Sequence, residues 1–191
     1  DDLLKANHDY AADFGQAGFD GIARAGIALV TCMDSRIDPL GMTGLKPGDA
    51  KMLRNPGGRV DDLTLDALVI SVHMLNVDRI MIIPHTRCAV ASNTRAELRE
   101  RLDAATGQDT SWLTLPVTDG QSGALVAEVQ RVRAHPHNPD NVRIGGVNYD
   151  RAFGIAMDGA GSAYVTAATK SDETTFPVAV GPDSATAARS P

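Results

Sequence analysis

Short, strongly apolar runs alternate along the chain with longer segments in which apolar and polar positions are mixed. An apolar run that is bounded by glycine, proline or charged residues is typical of a strand buried on both faces of a sheet. The sequence predicts such strands at Ile27–Thr31, Ala50–Arg54, Arg79–Ile83, Val142–Tyr149 and Ala152–Met157. Because helix-length segments separate most of them, the pattern favours an α/β fold with a central, mostly parallel sheet flanked by α-helices.

The predicted helices are segments in which apolar residues recur at helical spacing. The clearest is Thr64–Asn76, which carries a continuous apolar stripe, and weaker examples cover residues 3–19, 94–105 and 122–134. In the segment 94–105, Glu97 and Arg101 are spaced for an i, i+4 ion pair. Several prolines and glycines between residues 38 and 48 leave room only for a short turn or helix.

A change of composition near residue 159 suggests how the chain is organised. At 191 residues, one domain is the natural expectation. We expect residues 1–159 to form that domain, with residues 1–22 as an N-terminal helical arm. Residues 160–191 are rich in Ala, Thr, Ser and Gly and are predicted to be a low-complexity tail that adds little to the core.

The charge balance excludes several classes of function. The net charge is −6 and the isoelectric point is about 5.2, and the basic residues form no stripe, so nucleic acid is not an expected partner. No apolar run is long enough for a membrane span, and no signal peptide is visible. Sparse cysteine favours the reducing cytoplasm. A segment removed before Asp1 stays an open alternative.

The only two cysteines lie just past the ends of two predicted strands. Cys32 opens the segment CMDSR (32–36), and His85 and Cys88 belong to the segment HTRC (85–88). Open α/β sheets bind ligands at the carboxyl ends of their strands. Two thiolates and one imidazole suit zinc and leave a fourth position open, which is typical of an enzyme site. The alternatives are a disulfide in a secreted protein and a thiol redox protein.

The fourth ligand position has few candidates, because the chain contains no third cysteine and its other histidines lie in segments without matching partners. His73 is expected to be a packing residue of an apolar helix. Water or Asp34 is then left for the fourth position. If the chain stays extended past Cys32, Asp34 points to the same side, and Arg36 offers that carboxylate a bidentate hydrogen-bonded pair. The alternative is a solvated loop with a weak surface ion pair.

The formal charge of this ligand set has a consequence for its chemistry. Zinc with two thiolates and a neutral imidazole carries no net charge, so it should acidify a bound water less than a three-histidine site does. Asp34 would help by accepting the water proton in a hydrogen bond, while Arg36 keeps Asp34 ionised and oriented. We therefore expect activity to rise with pH.

Three motifs taken together, CMDSR, RNPG (54–57) and HTRC, resemble the signature of the β-class carbonic anhydrases, in order and in spacing, over residues 25–90. The resemblance implies one Zn²⁺ per chain on Cys32, His85 and Cys88, with Asp34 and Arg36 controlling the fourth position. Asp34 would also be a switchable zinc ligand. The implied reaction is the reversible hydration of CO₂ to bicarbonate. The implied assembly is a homodimer or a dimer of dimers, in which the N-terminal helix embraces the partner, as in the compact bacterial members.

The sequence departs from the usual family pattern around the expected substrate pocket. Pro56, Arg87 and Ala89 replace residues that are commonly Ala, a smaller or acidic residue, and Gly. These changes keep open a hydrolase of carbonyl sulfide or carbon disulfide at the same zinc centre, and a zinc-stabilised binding protein without catalysis. The neighbouring residues Asn55, Gly57 and Gly58 are candidates for substrate binding. A tight turn that requires positive φ explains the two glycines equally well.

Overall fold

The computed structural model describes residues 2–149 and the backbone of two further strands, 154–157 and 163–166. The elements are, in chain order, α1 (Asp2–Ala12), β1 (Ile27–Cys32), α2 (Pro39–Thr43), β2 (Ala50–Asn55), α3 (Asp62–Met74), β3 (Arg79–Ile83), α4 (Arg95–Thr106), α5 (Gln121–Arg133), β4 (Arg143–Gly146), β5 (Gly154–Met157) and β6 (Ala163–Thr166). Among the described helices, none has both the length and the apolar character needed to cross a membrane.

A four-stranded sheet in the order β2-β1-β3-β4 forms the centre of the fold, and all of its strand pairs are parallel. The predicted α/β class is confirmed. In this register Cys32 lies beside Asn55 on β2, and Thr31 lies beside Ile83 on β3. The carboxyl ends of the three strands therefore meet at one edge of the sheet, where the predicted motifs follow.

Apolar clusters cover both faces of the sheet. On one face, Val30 and Ile82 pack with Leu68 of α3 and Val129 of α5, and all four are fully buried. The opposite face contains a smaller cluster around Leu29. Burial on both faces explains why the central strands read as continuous apolar runs rather than as alternating patterns.

The end of the chain differs from the predicted arrangement. The expected strand Val142–Tyr149 is shorter, at Arg143–Gly146, with an isolated bridge between Tyr149 and His85. β5 covers most of the expected strand Ala152–Met157, but it pairs antiparallel with β6, which lies inside the segment predicted to be a tail. The domain boundary at residue 159 stays a prediction, and the rest of the tail lies outside the described residues.

Two expectations for the helices need correction. α1 ends at Ala12 instead of continuing to residue 19, and none of its residues is buried. His73 is exposed, and its Nε2 lies 2.6 Å from the carbonyl oxygen of His137, so it is not a packing residue.

The predicted ion pair between Glu97 and Arg101 is wrong. Glu97 instead completes a capping box at the start of α4, in which its carboxylate accepts a hydrogen bond from the Thr94 amide at 2.7 Å. Arg101 donates to the side chain of Asn93 at 3.4 Å. The backbone amides of a helix start have no partner within the helix, so they compete successfully for a nearby carboxylate.

Candidate metal centre

Cys32, His85 and Cys88 meet at the carboxyl edge of the sheet. Cys32 is the last residue of β1, and the other two follow β3, the neighbouring parallel strand. Their ligand atoms all lie within 4.8 Å of one another, and all three residues are buried. Within the described part of the chain, this is the one group of three or more such side chains that could hold a metal ion.

The geometry and chemistry of these donors fit a tetrahedral zinc ion. Zinc–sulfur bonds of about 2.3 Å at a tetrahedral angle separate two sulfurs by about 3.8 Å, and the Sγ atoms of Cys32 and Cys88 are 3.9 Å apart as free thiols. The Nε2 atom of His85 is buried without a hydrogen-bond partner among the described residues. A buried, unpaired polar atom is costly unless a ligand satisfies it.

Burial also sets the protonation of the donors. Burial lowers the pKa of His85, which favours the neutral imidazole that binds metals. Burial raises the pKa of Cys32, and hydrogen bonds from the backbone of Asp34 and Gly57 partly offset this rise. Burial thus favours the neutral thiol in the absence of a cation, and a bound metal ion would favour the thiolate.

A glycine turn after β2 closes over the Cys32 sulfur. The Gly57 amide donates a hydrogen bond to Cys32 Sγ at 3.4 Å. Gly57 and Gly58 both adopt positive φ, at 86° and 64°. A Cβ on Gly58 would lie 2.9 Å from the Cys32 backbone nitrogen, so only glycine fits there. This geometry supplies a structural reason for both glycines, and their role in substrate binding stays a prediction.

Asp34 and Arg36 form a bidentate pair beside the three donors. Arg36 Nε donates to Asp34 Oδ1 at 2.9 Å, and Arg36 Nη2 donates to Oδ2 at 2.6 Å. The Asp34 Oδ2 atom lies 3.7 Å from His85 Nε2, so the carboxylate borders the candidate metal position. The hydrogen bonds from Arg36 hold the pKa of Asp34 well below its usual range.

The pair arises from a turn, whereas the sequence suggested an extended chain. The Arg36 amide donates to Asp34 Oδ1 at 2.9 Å, which closes a side-chain turn over Ser35. The two side chains therefore meet because the backbone folds back. The expected proximity of Asp34 to the ligands is present, but the two-residue alternation of a strand is not its cause.

Arg54 is a contributor to the site that the sequence reading did not assign. From β2, its Nε donates to the Cys32 carbonyl at 3.0 Å and its Nη2 donates to the Asp34 carbonyl at 2.7 Å. Arg36 Nη2 reaches across to the carbonyl of Arg87, at 3.3 Å. Two arginines thus connect the Cys32 segment to β2 and to the His85 segment. The only feature of the sequence that pointed to this role of Arg54 was its position in the RNPG motif.

Asn55 is occupied by contacts within its own loop. Its Nδ2 donates to the Arg59 carbonyl at 2.6 Å and to Thr64 Oγ1 at 3.0 Å, and its Oδ1 accepts from the Arg59 amide at 2.7 Å. The side-chain amide therefore fixes the shape of the glycine turn. Its predicted contact with substrate stays a prediction.

Gln121, at the start of α5, fixes the position of the His85 segment. Its Nε2 donates to the His85 carbonyl at 2.8 Å and to Asn148 Oδ1 at 3.1 Å. The Thr86 amide donates to the Tyr149 carbonyl at 3.0 Å. No sequence signal indicates this role, since Gln121 is 36 residues away from the motif that it contacts.

Comparisons with known proteins agree with this geometry. The sequence matches the carbonic anhydrase family over residues 27–135. It is 29% identical to β-carbonic anhydrase 1 of Mycobacterium tuberculosis over 154 residues, which is 81% of this chain and 93% of that protein. The crystal structure of carbonic anhydrase from Streptococcus mutans superimposes with a TM-score of 0.72 at 30% identity, covering 86% of this chain and 95% of that one.

A second group of relatives matches a shorter region. The carbon disulfide hydrolase of Saccharolobus solfataricus is 31% identical over 70 residues, which is 37% of this chain and 34% of that protein. The longer matches, the parallel sheet and the buried cysteine and histidine donors at its edge agree with one another. The chain therefore belongs to the β-carbonic anhydrase family of enzymes.

Proposed function

We propose that the protein catalyses the reversible hydration of CO₂ to bicarbonate and a proton. The single observation that carries this proposal is the buried donor set of Cys32, His85 and Cys88 with the Asp34–Arg36 pair at its border. We propose that these three donors hold one Zn²⁺ per chain. A bound zinc would supply a Lewis acid that lowers the pKa of a water in its fourth position.

Asp34 is proposed to control that fourth position. Its Oδ2 lies 3.7 Å from His85 Nε2, close enough to accept a hydrogen bond from a water among the ligands or to become a ligand itself. Because Arg36 donates to both carboxylate oxygens, Asp34 stays ionised and keeps one orientation. Arg36 therefore acts through Asp34 as a positioning residue.

The surroundings of the donors suit an apolar substrate. Ile37 is buried against Cys32 and Cys88, and Val90 and Tyr149 pack against the same cluster. CO₂ has no charge and few strong hydrogen-bonding groups, so an apolar wall excludes water at little cost to its binding. We propose that Asn55, Gly57 and Gly58 frame this pocket through the shape of their turn.

The test of the Asp34–Arg36 pair compares metal content with turnover. We expect Asp34→Ala and Arg36→Ala to keep zinc and to lose most CO₂ hydration, measured by metal analysis and by a stopped-flow pH-indicator assay. Asp66→Ala and Arg101→Ala, which remove an exposed carboxylate from α3 and an exposed guanidinium from α4, serve as matched controls. Normal turnover of both pair variants would remove the pair from the mechanism.

Hydrolysis of carbon disulfide or carbonyl sulfide is a second candidate, which the similarity to carbon disulfide hydrolases favours. Arg87 and Ala89, beside the His85 and Cys88 donors, are the departures from the family pattern that would alter the pocket. Rates for CO₂, COS and CS₂ with one zinc-loaded preparation separate the two reactions. A zinc-replete protein that is inactive on all three would support the binding-protein alternative instead.

We further propose a cytoplasmic homodimer, or a dimer of dimers, in which α1 packs on a second copy. α1 has no buried residue and leaves Leu3, Leu4 and Tyr10 between 63% and 76% exposed. Light scattering of the full chain should give at least twice the monomer mass, and Leu4→Asp should shift it toward monomer, whereas Lys5→Gln should not. A monomeric wild-type chain would contradict this assembly.

A further inference from the structure

A cleft rich in arginine lies at the opposite edge of the sheet from the metal centre. It has a volume of about 310 Å³, and its lining includes Arg24, Gly26, Asp78, Arg79 and Arg143. These residues lie at or just before the amino ends of β1, β3 and β4. The length of β1, about 16 Å at ~3.3 Å per residue, separates the cleft from the cysteines.

The strand register brings two of the arginines side by side. Arg79 opens β3 and Arg143 opens β4, and the two are direct partners in the parallel ladder. Side chains of register partners point to the same face, so two cations are adjacent, which costs stability unless an anion compensates. The Asp78 carboxylate lies 3.6 Å from Arg79 Nε and 3.5 Å from Arg143 Nη2, so one anion serves both.

Most guanidinium donors in the cleft have no acceptor among the residues that the structure describes. Arg79 Nη2 donates to the Ala25 carbonyl, but Arg79 Nε is buried without a hydrogen-bond partner in the described part of the chain. The guanidinium carbon of Arg24 lies 4.0 Å from the centroid of the Phe19 ring, and its nitrogens meet no acceptor among the described residues. Stacking of this kind holds an arginine in place while leaving its N–H groups free.

The charge of the cleft is opposite to that of the whole molecule. Three guanidinium groups face one carboxylate, which leaves two positive charges, whereas the complete chain carries −6. The Asp78 carboxylate lies close to Gly26 at the wall of the cleft, since a Cβ on Gly26 would lie 2.8 Å from its Oδ1. Unmatched cations that converge on a concave surface focus the field on a small anion.

We infer that this cleft binds a phosphate group, either inorganic phosphate or the phosphate of a small monoester. Guanidinium groups offer paired N–H donors at the spacing of phosphate oxygens, and a doubly charged anion matches the two unbalanced charges. The volume accommodates a phosphate with a small organic portion. The inference is independent of the proposed hydration reaction, because no residue of the cleft belongs to the metal centre.

The test is a ³¹P NMR titration of the zinc-loaded full chain at constant ionic strength. Inorganic phosphate and glycerol 3-phosphate are titrated separately, so that the tighter binder identifies the source of the phosphate. We expect Arg79→Gln/Arg143→Gln to weaken binding at least tenfold and Arg24→Gln to weaken it less. Asp78→Asn should tighten binding, because it removes the competing carboxylate. Arg101→Gln, an exposed arginine on α4, is the control for loss of a positive charge.

A circular-dichroism spectrum and a urea-unfolding midpoint close to those of the wild type check that the double variant is folded, and its loss of phosphate binding then supports the site. Equal binding by the wild type and the double variant would place the phosphate elsewhere, including at the metal centre, and would overturn the inference. Absence of binding by the wild type would overturn it as well. If the double variant misfolds, the single variants Arg24→Gln and Asp78→Asn replace it. Phosphate affinity equal to that of the wild type in both of them would also overturn the inference.

Discussion

The contact between Gly58 and the end of β1 gives the sharpest test of how the site is built. We consider Gly58→Ala. At φ 64°, the added Cβ would lie 2.9 Å from the backbone nitrogen of Cys32 and 3.0 Å from the carbonyl carbon of Thr31. Both atoms belong to the buried central strand, which has little freedom to move away. The methyl group must therefore displace either the turn or Cys32.

Two costs contribute, and a second glycine separates them. A non-glycine residue in the left-handed region costs about 1–2 kcal/mol, and forcing a methyl group into a packed position costs about 1–3 kcal/mol more. Gly107, the C-cap of α4, has nearly the same φ, 68°, but open space around the position of a Cβ. We therefore expect Gly107→Ala to lose about 1–2 kcal/mol and Gly58→Ala to lose roughly 2–5 kcal/mol.

Urea unfolding of the metal-free proteins measures this difference, and a competition titration with a zinc chelator measures metal affinity. Gly58→Ala should bind zinc more weakly than the wild type, because Cys32 is displaced, whereas Gly107→Ala should bind it equally well. If the two variants have equal stability and equal zinc affinity, the turn can retreat from β1 and the reasoning is refuted. A raised KM for CO₂ as the sole defect of Gly58→Ala would instead favour substrate binding as the role of this glycine.

Two further predictions concern strain and burial. Arg87 adopts a φ of 54°, so Arg87→Gly should be as stable as the wild type or up to ~1 kcal/mol more stable in urea unfolding, whereas Ala89→Gly should lose stability. Loss of stability in Arg87→Gly would show that contacts of the Arg87 side chain stabilise the fold by more than its left-handed backbone conformation destabilises it. Burial raises the pKa of Glu128 above its ordinary 4.5. Between pH 4.5 and the raised pKa, the folded state therefore binds more protons than the unfolded state. Stability of the wild type should therefore fall as pH rises through this window, and Glu128→Gln should lack that component. Identical pH slopes for the two proteins would contradict the prediction.

The strands and the three metal donors were predictable because their signals are local. Cys32 follows an apolar run directly, and His85 and Cys88 follow another, so the ends of two buried strands are marked in the sequence itself. Parallel pairing of these strands then brings the three donors to one edge. The paired strand ends account for the proximity of Cys32 and His85, whereas the position of Cys88 also depends on the turn that contains Arg87, at a φ of 54°.

The supporting contacts were not predictable, because each depends on a partner that the fold brings close. Arg54 and Gln121 contact the donor segments from 22 and 36 residues away, and neither spacing has a pattern. Glu97 has two possible partners nearby in the sequence, and its carboxylate accepts a hydrogen bond from the amide of Thr94 instead of pairing with Arg101. The sequence shows both options but not the free-energy difference between them.

The buried hydrogen bond between β1 and β3 has a consequence for how the protein depends on its metal supply. The Thr31 hydroxyl donates to the Ile83 carbonyl at 2.8 Å, directly before the donor segments of the two strands. Cys32 and Cys88 are 56 residues apart in the unfolded chain, so the donors converge only once the sheet exists. Zinc that binds only the folded chain raises the free energy of unfolding by about 1.4 kcal/mol for each tenfold excess over Kd. The lifetime of the folded enzyme in a cell would then follow the concentration of free zinc as well as the temperature.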